Sequence, residues 1–269
     1  MASNARYDAK QLAALGEQAQ ADGLVILREH FPREKMKAWA EAFRPLLTEF
    51  LSRQTGEENR GANRHYITLP FQAPFADPEL YEDEAVLSIV EHLVGKDPVM
   101  CQLASDTPLK GSDYQEIHRD APPLFPEWEG HETPSFQLAV NFPLVDMTLE
   151  MGPFEVARGT HRLTRAEGMA MIEAGEVKLE KVTLNMGDVM IRDVRGLHRG
   201  TPNTTDTPRP MVVIGYSRKW LHRPEVNIRI PRAMWETLSP RGKHLLRYNP
   251  IVESLADAPA EESYKAFAY

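Results

Sequence analysis

His118-Arg119-Asp120, followed by His198 and then by Arg209, are the residues of this chain best suited to chemistry. Two imidazoles and one carboxylate are the side chains that grip one face of a non-haem Fe(II) ion and leave its other positions open. A His-x-Asp pair alone carries little weight: with nine His and thirteen Asp in 269 residues, it is expected roughly 0.4 times by chance. Its setting carries more. On an extended backbone, positions i and i+2 point to the same side, so His118 and Asp120 could reach one ion. Ala121-Pro122-Pro123 would end that strand and leave both ligands at the mouth of a barrel. His198 follows a turn, a strand and a Gly-containing bend, residues 185 to 197, and could supply the third ligand. Taken singly, a surface pair at 118 and 120 and a satisfied polar histidine at 198 also fit. Arg209 opens the apolar run Met211 to Ile214. A guanidinium entering a buried strand needs an anionic partner, either in a structural salt bridge or as a bound carboxylate held by its planar fork.

Two kinds of element would position these residues. Residues 8–95 read mostly as helix, with Asp8 as an N-cap, Pro32 in a first turn before Met36, Trp39, Phe43 and Leu47, and one amphipathic helix from Pro78 to Val94 stopped by Gly95. Only Gly23 to Leu27 interrupts with a strand-like run. From residue 98 the pattern changes to short apolar runs broken by Gly and Pro: Val99 to Ala104, Phe136 to Leu144, Gly152 to Ala157, Val177 to Leu184, Asp188 to Arg192 and Met211 to Ser217. Such spacing predicts an antiparallel sandwich or barrel. In Phe136 to Phe142, large apolar residues alternate with Gln137, Ala139 and Asn141, so one face would be buried and the other would present small or polar groups to an interior site. Residues 231–247 read as short C-terminal helices, and the charged end after Leu255 is expected to be mobile. The fold expected is mainly β with flanking α-helices, a double-stranded β-helix or jelly roll of cupin-like type. It would form one domain over residues 1–269, with the jelly roll at about 98–220.

Composition narrows the partners. The 42% hydrophobic content suffices for one large core. A net charge of −8, with 31 basic residues interspersed among 39 acidic ones, argues against a nucleic-acid or anionic-membrane surface. No stretch approaches the roughly 18 apolar residues of a membrane span, and Met1 to Lys10 lacks the apolar core of a signal peptide. A soluble, cytoplasmic protein acting on a small molecule is expected. Oligomeric state is not readable. Cys101 stands alone, which excludes an intrachain disulfide or a thiolate-ligated metal site and suggests a buried structural thiol.

The residues that carry chemistry sit within longer matching segments: Tyr114-Gln115-Glu116-Ile117-His118-Arg119-Asp120, then Gly152 through His161, then Gly187-Asp188 through His198-Arg199-Gly200-Thr201-Pro202-Asn203, and Arg209. In order and spacing, over about residues 20–250, the chain resembles the phytanoyl-CoA dioxygenase family of Fe(II)- and 2-oxoglutarate-dependent oxygenases, and within it the members that tailor natural products. The resemblance implies His118, Asp120 and His198 as ligands of a catalytic Fe(II), Arg209 as anchor of the distal carboxylate of 2-oxoglutarate, Gln115 as a further co-substrate contact, and O2 as the oxidant. It implies hydroxylation of an unactivated C–H bond as the first expectation, and the retained Asp120 disfavours halogenation. One position departs from the pattern. Where relatives often carry Thr, this chain has Phe154, which cannot donate a hydrogen bond; Gln102 or Thr201 would then serve the co-substrate. Phe125, Trp128, Gln137 and Asn141 are candidate substrate-lining residues. Arg192, Arg195, Arg199 and Arg218 could meet an anionic substrate but read first as solvated or acid-paired surface side chains, and His161 reads as support for the fold. With no clear basic phosphate-binding patch, a free small molecule is favoured over an acyl-CoA. The competing readings are a cupin-like metalloenzyme that needs no 2-oxoglutarate, and a non-catalytic metal-binding sensor.

Overall fold

The computed structural model describes residues 6–53, 61–128, 133–222 and 227–257. Helix α1, Ala9–Asp22, starts at a capping box in which Asp8 and Gln11 satisfy each other's backbone N–H groups. It stops at Gly23, which takes φ 80°. No larger residue fits there, because a Cβ would stand 2.6 Å from His161 Nδ1. Strand β1, Leu24–Leu27, follows, and then α2, Arg33–Arg53, which buries Met36, Trp39, Phe43 and Leu47 along one stripe.

The expected helix from Pro78 to Val94 is two helices, α3 (Pro78–Tyr81) and α4 (Glu84–Val94). The break falls at Asp83, whose carboxylate caps α4 by accepting from Val86 N at 2.8 Å. A second departure is β2, Arg64–Thr68, a strand inside the region that reads as helical. It is illegible in the sequence because all but its last residue is buried, so no alternation marks it.

The remaining strands are β3 (Val99–Pro108), β4 (Gln137–Pro143), β5 (Phe154–Ala157), β6 (Leu179–Val182), β7 (Val189–Asp193), β8 (His198–Gly200) and β9 (Met211–Ser217). A short helix, α5, Arg165–Glu173, lies between β5 and β6. Two C-terminal helices, α6 (Arg232–Thr237) and α7 (Pro240–Leu245), match the expectation for the tail. The end beyond residue 257 lies outside the described residues.

Six strands form an antiparallel sheet in the order β1-β7-β4-β9-β3-β2, and three form a smaller antiparallel sheet, β6-β5-β8. This is the jelly-roll arrangement expected. The period of two sorts each strand's side chains between two environments. On the outer face, Leu138, Val140 and Phe142 of β4, Val189 and Ile191 of β7, and Val212, Ile214 and Tyr216 of β9 join the helices' Trp39, Phe43, Val90 and Leu93 in the main core. Each such large side chain contributes about 1.5–3 kcal/mol on burial, which holds the helical layer against the sheet. The inner face carries Gln137, Ala139 and Asn141, as their alternation predicted, together with Arg192, Met211 and Val213. Cys101 is buried. Among the described residues no helix is long and apolar enough to cross a membrane.

Candidate metal centre

A cavity opens between the two sheets. The large sheet lines it with Tyr66, Gln102, Asp106, Gln137, Ala139, Asn141, Arg192, Met211 and Val213, and the opposite side with Gln115, His118, Asp120, Phe154 and His198. His198 begins β8. His118 and Asp120 lie on a connecting segment that is not a regular strand, His118 in an isolated bridge to His198 and Asp120 at a bend, a correction to the sequence reading. That segment is pinned by backbone bonds: His118 and His198 exchange N–H···O bonds of 3.0 and 3.1 Å, Asp120 N donates to Val194 O at 2.9 Å, and Gln115 N donates to Gly200 O at 3.1 Å. The ladder between His118 and His198 thus brings the sequence-distant ligands together.

His118, Asp120 and His198 are the group of potential ligands found among the described residues, with one donor atom from each lying within 4.8 Å of the others. Asp120 Oδ1 stands 3.7 Å from His118 Nε2 and 3.5 Å from His198 Nε2. Each imidazole is oriented from behind, His118 Nδ1 to Glu116 O at 2.7 Å and His198 Nδ1 to Gly196 O at 2.9 Å. A carbonyl only accepts, so both Nδ1 atoms carry a proton, and both Nε2 atoms face Oδ1. Two imidazole nitrogens and one carboxylate oxygen converging at this spacing fit a ferrous ion.

The electrostatics agree. Burial, with help from the neighbouring His198, pushes the His118 imidazole down to about 4, so it is neutral and free to ligate at pH 7. Burial opposes ionisation of Asp120, but the Arg192 guanidinium and the two imidazoles outweigh it and hold the carboxyl well below the usual range. Because the unfolded chain takes up the His118 proton near its ordinary 6.5, the stabilisation from a neutral His118 is complete above that pH and is lost as pH falls toward 4. The full loss amounts to about 3 kcal/mol. Urea melts of the metal-free protein should show this decline, and His118→Gln should flatten it; an equal slope in both would refute the assignment.

Phe154, the residue that departs from the pattern, has a defined place. Its ring stacks on His198 with centroids 4.8 Å apart and planes at 16°, and it carries the Arg192 guanidinium 5.0 Å from its centroid. It buttresses one ligand where a Thr could only hydrogen-bond.

Arg209 does not line the cavity; it is fully buried behind Asp106 of the cavity wall. Its Nη2 donates to Gly152 O at 3.0 Å and lies 3.8 Å from Asp106 Oδ2, while Nε and Nη1 have no partner among the described residues. Burial brings its pKa down to about 10, so it stays cationic. Asp106 is held more closely by Arg64, at 2.9 Å, and Arg64 also donates to Thr201 O at 2.8 Å. Two guanidiniums therefore surround one carboxylate, leaving one buried positive charge and three unpartnered donors, Arg64 Nε and the Nε and Nη1 of Arg209. Leaving a buried donor unmade costs roughly 1–3 kcal/mol, so an anion is favoured here. Asp106 and Met211 form the cavity wall at this end, with Arg209 against Asp106. Gly152 takes φ 74°, and a Cβ on it would stand 2.4 Å from Thr201 O; that close approach brings its carbonyl to Arg209.

The other expected site residues divide. Gln115 lines the cavity with its Oε1 accepting from Gly200 N at 2.9 Å, which leaves its amide N–H groups to serve a ligand. Gln102 lines it too and donates to the Tyr66 hydroxyl. Asn141 lines it, but its polar atoms are engaged, Nδ2 with Val212 O and Oδ1 with Arg192 Nε. Thr201 does not line the cavity, and its hydroxyl donates to Pro153 O at 2.8 Å, so it is not available as a co-substrate donor. Phe125 and Trp128 also fall outside. They pack against each other at 5.2 Å over a separate depression beside Arg119 and Leu163 and remain 44% and 55% exposed. His161 is not among the converging donors, and its Nε2 is bonded to Gln20 O. Sequence reasoning missed Arg64, Asp106 and the inward direction of Arg192. For Arg192 a signal existed: β7 alternates, and with Val189 and Ile191 in the core, residue 192 must face the other way. Arg195 likewise is buried against Asp193, not at the surface.

Residues 19–211 match the phytanoyl-CoA dioxygenase (PhyH) family profile. Among solved structures the chain is similar to EvdMO1, with 21% identity, TM-score 0.60, 77% of this chain and 50% of that one. It is also similar to SnoN, the non-heme α-ketoglutarate-dependent epimerase of nogalamycin biosynthesis, with 19% identity, TM-score 0.59 and 78% and 84% coverage. AviO1 from Streptomyces viridochromogenes has 19% identity, TM-score 0.61 and 81% and 99% coverage. The chain thus spans half of EvdMO1 but nearly all of AviO1. At these identities the likeness shows a shared fold.

Proposed function

The chain belongs to the phytanoyl-CoA dioxygenase family, which makes it a 2-oxoglutarate-dependent non-haem iron oxygenase, and from that premise we propose that it hydroxylates an unactivated C–H bond of a small molecule in secondary metabolism. The observation that carries this reading is the pairing of two features in one fold. Three donor atoms converge in the cavity, and a buried cation with two unpartnered N–H groups stands behind Asp106 of its wall.

When bound, Fe(II) and 2-oxoglutarate would supply the oxidising chemistry, with R–H, 2-oxoglutarate and O2 giving R–OH, succinate and CO2. The chain's own residues do the rest. His118, His198 and Asp120 Oδ1 would hold the ion. Arg209 takes the distal carboxylate through Nε and Nη1, and Gln115 offers its amide N–H groups. Binding requires the wall formed by Asp106 and Met211 to admit that carboxylate. Gln137, Ala139 and Val213 present a mixed polar and apolar surface to the substrate, as small-molecule sites do. The nogalamycin-pathway relative supports a tailoring role, and its being an epimerase shows that this scaffold serves outcomes other than hydroxylation.

The test is anaerobic titration of the apoprotein with Fe(II) and then 2-oxoglutarate. A visible metal-to-ligand charge-transfer band is expected on the second addition. Folded protein that binds Fe(II) and gives no band would overturn the reading, and product analysis against a metabolite panel would separate hydroxylation from desaturation, epoxidation or rearrangement.

A further inference from the structure

Arg192 projects from β7 into the cavity and is held there on three sides. Its Nη2 donates to Asp120 Oδ2, its Nε donates to Asn141 Oδ1 at 3.2 Å, and its plane lies over Phe154. Asn141 is itself tied to β9 through Nδ2 and Val212 O, and Phe154 is stacked on His198. The guanidinium is thus fixed by the two sheets that enclose the site.

This makes the two oxygens of Asp120 unequal. Oδ1 faces both imidazole Nε2 atoms, and Oδ2 is turned to Arg192. We propose that Arg192 is a positioning residue that keeps Asp120 a one-oxygen ligand. A carboxylate binds metals readily through one oxygen or through both. Three donor atoms leave three of six octahedral positions, enough for a two-oxygen co-substrate and O2. A carboxylate giving both oxygens would fill a fourth, and one of the two reactants would lose its place. A charge-assisted hydrogen bond to Oδ2 biases that choice by roughly tenfold to a hundredfold. The inference rests on the functional reading above for the identity of the co-substrate, but the state of Asp120 can be read without it.

The experiment uses the full chain loaded with Co(II), which does not react with oxygen as Fe(II) does, and titrated with 2-oxoglutarate while the ligand-field bands are followed. Arg192→Met should keep Co(II) affinity within about threefold and weaken 2-oxoglutarate by at least about tenfold. Arg192→Lys, whose ammonium can still donate to Oδ2, should recover most of that loss. Unchanged 2-oxoglutarate binding in Arg192→Met would overturn the proposal. Equal loss of both ligands would also overturn it, by making Arg192 a structural support.

Should the Met variant fail to fold, difference infrared spectra of the wild-type protein on Co(II) binding decide the matter. One-oxygen ligation widens the gap between the asymmetric and symmetric carboxylate stretches relative to the free ion, and two-oxygen ligation narrows it. A narrowed gap would refute the proposal. If the wild type binds Co(II) with a widened gap yet never responds to 2-oxoglutarate, the functional reading fails while the one-oxygen state of Asp120 stands.

Discussion

Asp120→Ala is expected to abolish turnover and to weaken divalent metal binding by more than about 100-fold, the upper end of what loss of an outer-sphere partner costs, since here a ligand atom itself is removed. Asp120 is the only anion among the three converging ligands, and without it two neutral imidazoles would face the ion beside a buried guanidinium. Arg192 would lose the partner of its Nη2 and repel the incoming cation. Asp120→Asn, which keeps the shape and loses the charge, should fall between wild type and Ala. Asp120 is partly exposed, so the fold should lose only about 1–2 kcal/mol, solvent screening part of the ion pair. Calorimetric titration with Co(II) alongside thermal melts separates these effects. Metal affinity within a few fold of wild type in a folded Asp120→Ala protein would rule out this triad as the metal centre.

Arg209→Ala carries the second large effect. Truncating one partner of a desolvated charge pair costs about 2–4 kcal/mol, a loss of roughly 30- to 1000-fold in 2-oxoglutarate affinity. Metal binding should change little, because Arg209 contacts Gly152 and Asp106 and none of the three ligands. Asp106 would keep its closer bond to Arg64, so no carboxylate is stranded by the change. Arg209→Lys retains a point charge without the planar fork and should bind the co-substrate at an intermediate level. The charge-transfer titration reads both quantities in one experiment. Parallel loss of metal and 2-oxoglutarate would assign Arg209 a structural role.

The ligands are legible in the sequence because their chemistry is intrinsic to residue type: imidazole and carboxylate are the donors Fe(II) takes, whatever surrounds them. The inward face of β4 is legible too, since a period of two fixes which residues share a face, and Gln137 and Asn141 line the cavity as their alternation required. Local sequence is a poorer guide to residues judged by character. Phe125 and Trp128 have the size of a substrate lid and lie over another depression. Arg192 carries a side chain that is usually solvated and is buried instead.

By itself, then, the sequence determined the donor set, the change from helical to strand periodicity near residue 98, and the net charge of −8. These depend on residue identity and on spacing within one segment. Only the tertiary structure decided that His118 and His198, eighty residues apart in number, exchange backbone bonds, that Asp106 and Arg64 stand beside Arg209, and that Phe154 joins Arg192 to His198. Those relations come from strand register and from how the small sheet faces the large one. Register is set by the burial of whole faces, to which each residue adds only a little.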